Sequence, residues 1–202
     1  ALVRRAHAHF SSIGKDVRLD ICVAGTDQLV AHLLDGNLDA VVAFNMTTNE
    51  RLRILKVFEV QVGLVCPRGL MPDPPSSIAL SDCLRWPLCL PDDALSIRPR
   101  LMTEINRQDR SYKIAATSNS IATTCGLIIE GAGVGFMTLA DVVAQPEAEK
   151  LLFIPLKDRR LTEHISFAVS SSFRFEEDLG ASLLAIGTFI SDITEGRLGA
   201  PG

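Results

Sequence analysis

The sequence contains no run of lysine and arginine, although 20 of its 202 residues are Lys or Arg. Gripping a phosphate backbone takes clustered cations, so with a net charge of −4 this chain by itself is a poor partner for nucleic acid. No apolar run approaches the length of a membrane-spanning helix, and no export pattern opens the chain, so the reading expects no membrane partner. There is no C-x-x-C pair. Cys22, Cys66, Cys83, Cys89 and Cys125 are widely spaced and odd in number, which suits neither a disulfide framework nor a zinc site. They read as free, mostly buried thiols in a reducing, cytoplasmic compartment. A redox sensor would instead need an exposed, acidic thiol beside a resolving partner. No G-x-S-x-G, Ser–His, Cys–His or paired-carboxylate arrangement is present. His7 and His9 are two apart on a helix and face different ways, and His32 sits opposite the apolar stripe of its own helix. The reading therefore assigns no catalytic residue, no metal and no cofactor, and expects a protein that is not an enzyme.

What is present is a globular composition, 47% apolar and 22% charged, long enough for one large domain or two small lobes. The organising stretch is residues 17–45. Val17, Leu19, Ile21 and Val23 alternate with polar neighbours, the period of a strand with one wetter face. Gly25 breaks that strand, and Thr26 suits a helix N-cap. Leu29, Val30, Leu33 and Leu34 form one apolar stripe, and Gly36 suits a left-handed helix exit. Residues 38–44 are nearly all apolar, as in a parallel strand buried on both faces. Strand, helix and strand in this span make a βαβ unit.

Further along, residues 52–58 and 60–66 read as two extended segments, and the proline-rich residues 67–77 as a surface segment. Ser81 suits the cap of a short turn, and residues 88–90 form a short strand ended by Pro91. Ser96 suits the cap of a helix carrying Ile97, Leu101 and Ile105, with Pro99 in its first turns. Residues 112–116 return as a strand. Ser118, Asn119 and Ser120 supply caps for a helix with Ile121, Cys125, Ile128 and Ile129 on one face, closed by Gly131. Residues 134–137 are a strand, 139–144 a short helix, and 151–156 and 165–170 strands. Leu2, Val3, Ala6 and Phe10 stripe an opening helix; Leu179, Leu183, Ile186, Ile190 and Ile193 stripe a closing one. The glycines at 131, 133 and 135 follow a helix and precede a strand. A dinucleotide fingerprint has the reverse order, so close packing accounts for them better.

Residues 29–42 (L-V-A-H-L-L-D-G-N-L-D-A-V-V) resemble the effector-binding domain of LysR-type transcriptional regulators. Residues 126–137 (G-L-I-I-E-G-A-G-V-G-F-M) are similar to a second signature of that family, an apolar helix ending in a Gly-x-Gly-x-x strand. The family usually finishes that strand with proline, and Thr138 departs from it. The resemblance covers essentially the whole chain. It implies an α/β fold of two Rossmann-like lobes of the type 2 periplasmic-binding-protein kind, with a ligand cleft between them. It places residues 1–62 and 139–202 in the first lobe and 63–138 in the second. It also implies that a first strand and a helix-turn-helix DNA-binding domain precede this sequence, so that DNA is met only through that missing domain.

Ligands of open α/β sheets sit beyond the carboxyl ends of the strands. The positions meeting that description are Thr26, Asp27, Asn45, Met46, Asp92, Ser96, Ser118, Asn119, Ser120 and Met137. For the hydroxyls, helix capping is the competing role. Asp27 and Asp92 would repel a carboxylate unless paired, which argues against assuming an acidic effector. Phe136 and Met137 fit a core better than a ligand wall. The resemblance further implies a small-molecule effector and a homodimer, or a tetramer made of two such dimers, with residues 3–10, 18–23 and the outer face of 121–130 partly covered in the dimer. A periplasmic-type solute-binding protein is the alternative function, and an enzyme on the same scaffold a third.

Overall fold

The computed structural model describes residues 7–8, 18, 20–93, 95–158, 160–174, 188 and 191–192. The opening stripe at Leu2, Val3, Ala6 and Phe10, the strand positions Val17 and Leu19, and the closing stripe from Leu179 to Ile193 lie outside these residues. The chain divides into two compact units, the first reaching Phe58 and resuming at His164, the second running from Glu59 to Glu163. Residues 139–163 thus fall with the second unit, whereas the resemblance placed them with the first lobe.

In the first unit, helix α1 (Thr26–Leu34) is followed by strand β1 (Ala40–Phe44). Leu29 and Leu33 of α1 pack on Val41 and Ala43 of β1, with Leu52 and Ala168 completing the core. The helix ends as the sequence suggests. Gly36 takes φ +76°, its N–H bonds to Leu33 O at 3.2 Å, and Asn37 N–H bonds to His32 O at 2.9 Å. These two bonds are the Schellman pattern, and they satisfy carbonyls that the helix end would leave without partners.

Two expectations for this unit fail. Strand β1 is antiparallel, not parallel: Val42 pairs with Phe167 of strand β7 (Thr162–Ser170), and only Val41 and Ala43 are buried. A short apolar run does not reveal strand direction, because direction is decided by a partner distant in sequence. Residues 20–25 form no strand, and Ile21 and Val23 are 56% and 92% exposed. Alternation licenses a strand only where a partner accepts the backbone hydrogen bonds, and no described residue does so here. The βαβ unit is therefore a helix and a strand.

Strand β2 (Leu52–Pro67) is a single strand of 16 residues rather than two segments, and it passes from the first unit into the second. In the second unit its later half pairs antiparallel with strands β5 (Val134–Thr138) and β6 (Leu151–Pro155). Strand β3 (Leu88–Pro91) lies between β5 and β4 (Ile114–Ser118), parallel to both. Helix α2 (Leu80–Cys83) precedes β3 and has Ala79, not Ser81, at its N-cap. Helix α3 (Arg98–Asn106) joins β3 to β4, helix α4 (Ile121–Ile129) joins β4 to β5, and helix α5 (Leu139–Val143) follows β5.

Alternation along these strands sorts the core into two layers. Val62, Leu64, Leu88, Leu90, Val134 and Phe136 pack with Leu101 and Ile105 of α3. Val65, Cys89 and Met137 pack with Cys125 and Ile128 of α4 and Val142 of α5. Each fully buried Leu or Ile contributes roughly 1.5–3 kcal/mol. Helices thus cover both faces of a sheet whose centre is parallel, the doubly wound arrangement. The glycine run has packing reasons. Gly131 has φ +80° and closes α4. A Cβ on Gly133 would overlap the Pro87 carbonyl at the entrance to β3, and one on Gly135 would stand 2.9 Å from Ile128.

Candidate functional site

The chain leaves β3 for β4 on one side and returns from β4 to β5 on the other. Where connections diverge in this way, the carboxyl ends of the parallel strands leave a crevice that can receive a ligand. In this unit the crevice is built from the ends of β3 and β4, which are held in register, Pro91 beside Ser118. Asp92 N–H donates to Ser118 O at 3.0 Å, tying the two loops together.

The Ser118–Ser120 turn is organised by its own side chains. Ser118 Oγ accepts from Ser120 N–H at 3.0 Å. Ser120 Oγ accepts from Thr123 N–H at 3.2 Å, which makes Ser120 the N-cap of α4. Thr124 Oγ1 donates to Ser120 O at 3.0 Å. Asn119 is exposed between the two serines. Ser120 therefore performs the capping role, Ser118 braces the turn that precedes the helix, and each oxygen has a further lone pair for a ligand donor.

Ser96 stands two residues before α3, whose N-cap is Ile97, so it is not the cap that the sequence suggests. Met137 is only 2% exposed, and Cys125 Sγ lies 3.5 Å from its sulfur. Its side chain belongs to the core, as the residue type favoured.

One residue at the end of β3 escaped the sequence reading. Arg98 opens α3, and its Nη1 donates to Pro91 O, the last carbonyl of β3, at 2.8 Å. A cation in the first turn of a helix opposes the helix dipole. That local conflict was the available signal, and Pro99 beside it drew attention to helix initiation instead.

In the first unit, Thr26 and Asn45 meet at the end of β1. Gly25 is the N-cap of α1, and Thr26 Oγ1 donates to Phe44 O at 2.9 Å, so Thr26 clamps helix to strand rather than capping. Asn45 adopts φ +48° and exchanges two bonds with His164: its N–H donates to His164 O at 2.7 Å, and its Oδ1 accepts from His164 N–H at 3.1 Å. Asn tolerates this left-handed backbone better than most residues. Asp27 is exposed in the first turn of α1, and Met46 is half-buried against the core of this unit.

The thiols offer no nucleophile among the buried positions. Burial pushes Cys66 and Cys125 up to about 11 and Cys83 up to about 12, with Asp82 adding to Cys83 and Asp141 to Cys125. Burial raises Cys89 as well. Cys22 alone is exposed, and all five are free. No group of three or more His, Cys, Asp or Glu among the described residues is placed to hold a metal ion. No described helix is long and apolar enough to cross a membrane.

Residues 2–175 match the family model of the LysR substrate binding domain. No curated protein matches the chain. Among solved structures, it is similar to HinK, a LysR family transcriptional regulator from Pseudomonas aeruginosa. The identity is 15% and the TM-score 0.73, covering 92% of this chain and 64% of that one. The Corynebacterium glutamicum OxyR C206 mutant is similar at 17% identity and TM-score 0.71, covering 95% and 61%. The effector-binding domain of QuiR in complex with shikimate is similar at 13% identity and TM-score 0.69, covering 98% and 92%. The chain thus spans less than two thirds of the length of the first two.

Proposed function

The chain belongs to the LysR substrate-binding domain family, and from that premise we propose that it is the effector-sensing part of a LysR-type, DNA-binding transcription regulator. Its fold is the α/β fold of that family, of the type 2 periplasmic-binding-protein class. The single observation that carries the reading is the family match across residues 2–175. A small-molecule effector binds at strand-end loops; the candidates are Ser118, Asn119, Ser120 and Asp92 in the second unit and Thr26, Asp27 and Asn45 in the first. The effector shifts the balance between two arrangements of the regulator, which requires that it bind one of them more tightly. Catalysis is no part of this role, and DNA contact falls to a helix-turn-helix segment outside this sequence. The domain works as a homodimer, with residues 18–23 and the outer face of α4 in the contact.

The test is to read the coding region in frame upstream of Ala1. A basic helix-turn-helix pattern is the expected finding. A secretory leader followed directly by a short first strand would replace the regulator with a solute receptor for a transporter.

A further inference from the structure

Arg98 stands apart from the other cations of this chain. Every other Lys or Arg among the described residues is exposed, whereas the Arg98 side chain retains 17% of its accessible surface. A guanidinium carries five N–H donors. Among the described residues only one is committed, to the Pro91 carbonyl. The nearest carboxylate, Asp93, is 3.8 Å from Nε, beyond hydrogen-bonding distance, and is itself fully exposed. A charge withdrawn from water without a hydrogen-bonded counter-ion is costly. Its position in the first turn of α3 adds a second cost, because the helix dipole is positive there. One bond to a carbonyl, which a neutral amide could make equally well, explains neither. Local rules broken without structural return are the mark of a binding group.

From this geometry we infer that Arg98 is the anchor for an anionic group, a carboxylate or an oxyanion, on the effector. The inference deepens the effector reading above and rests on it. Arg98 is tied to the end of β3 on the side away from Ser118: Asp92 N–H points to Ser118 O, so the Pro91 carbonyl, across the same trans peptide, faces the β5 side. A planar anion there would take two of the guanidinium's remaining N–H donors. Asp93 competes for the same guanidinium.

The test is a titration of the isotopically labelled 202-residue chain with sodium acetate, sodium sulfate and neutral acetamide at constant ionic strength. The Arg98 Nε–H resonance is followed. Acetate and sulfate should shift it saturably, in the millimolar range natural to so small a fragment. Acetamide should not. Arg98→Gln should weaken acetate binding about tenfold or more, Arg98→Lys by less because the fork is lost but the charge kept, and Asp93→Asn should strengthen it. Should Arg98→Gln fold poorly, the Asp93→Asn arm decides, since a merely structural arginine would leave it without effect. Linear, unsaturated shifts, equal responses to acetate and acetamide, or saturable binding that survives Arg98→Gln would each overturn the inference. Saturable binding of acetamide without acetate binding would overturn the anionic class and leave the effector reading standing. A secretory leader upstream would remove the effector reading and leave the anion subsite standing.

Discussion

A proline at the end of β5 would fix φ but donate nothing. Thr138 stands there instead, and its N–H and hydroxyl both bond to Asp141 Oδ2, at 2.9 and 2.8 Å. The Asp141 N–H returns a bond to Thr138 Oγ1 at 3.4 Å, completing a capping box for α5. Loss of such a cap costs about 1 kcal/mol, so Thr138→Ala should lower the melting temperature at any pH. The carboxylate has its own pH dependence. Burial raises the Asp141 pKa, and the bonds from Thr138 offset only part of the rise. A carboxyl raised in the folded state contributes stability that is complete below the ordinary carboxylate pKa and lost as pH rises through the folded value. The melting temperature of the wild type, relative to Asp141→Asn, should therefore improve on moving from about pH 7 to about pH 4. A constant difference would mean that folding leaves the Asp141 pKa unchanged, and one that moves the other way that folding lowers it. Thr138 was visible in the sequence as a departure; its partner three residues on was not.

At the scale of elements, what the sequence revealed was mainly what is local. The exits of α1 and α4 were legible because both rest on a glycine with positive φ, at Gly36 and Gly131, and such a glycine is visible without any tertiary contact. The core stripe of α3 was legible by the same logic, through Leu101 and Ile105. Pairing was not legible. The direction of β1, the unpaired state of residues 20–25 and the continuity of β2 each depend on partners far along the chain. Arg98 was missed because its importance lies in burial, and burial is a tertiary fact. The glycines inside α4 and just before β5 allow a paired check. Gly126 lies inside α4 with nothing within 4 Å of an added Cβ, whereas Gly133 faces the Pro87 carbonyl. Gly126→Ala should stabilise the chain by roughly 0.5–1 kcal/mol, the ordinary gain of alanine over glycine within a helix. Gly133→Ala should destabilise it by about 1–3 kcal/mol, because backbone must move to admit the methyl group. Chemical denaturation of the two variants measures both signs, and a stabilising Gly133→Ala would mean that the glycine run has some purpose other than packing.

At the scale of the whole molecule, the thiols divide unevenly between the two units. The four buried cysteines, at 66, 83, 89 and 125, all belong to the second unit, and exposed Cys22 to the first. Reactivity requires both access and thiolate, and burial denies the four both. A maleimide added to the native chain, diluted until it is monomeric so that the proposed contact through residues 18–23 does not shield it, should therefore modify one thiol, Cys22, while denaturant should release all five. Mass spectrometry counts the adducts, and more than one rapid native adduct would mean that the second unit opens readily. The same asymmetry has an optical consequence. The single tryptophan, Trp86, also lies in the second unit, beneath the Arg85 guanidinium at 4.0 Å. An acceptor dye on Cys22 and the natural donor at Trp86 would form an energy-transfer pair with one member in each unit. The wild-type protein is thus already equipped as its own spectroscopic ruler, able to report in real time whether a ligand changes the spacing of its halves, without a single engineered residue.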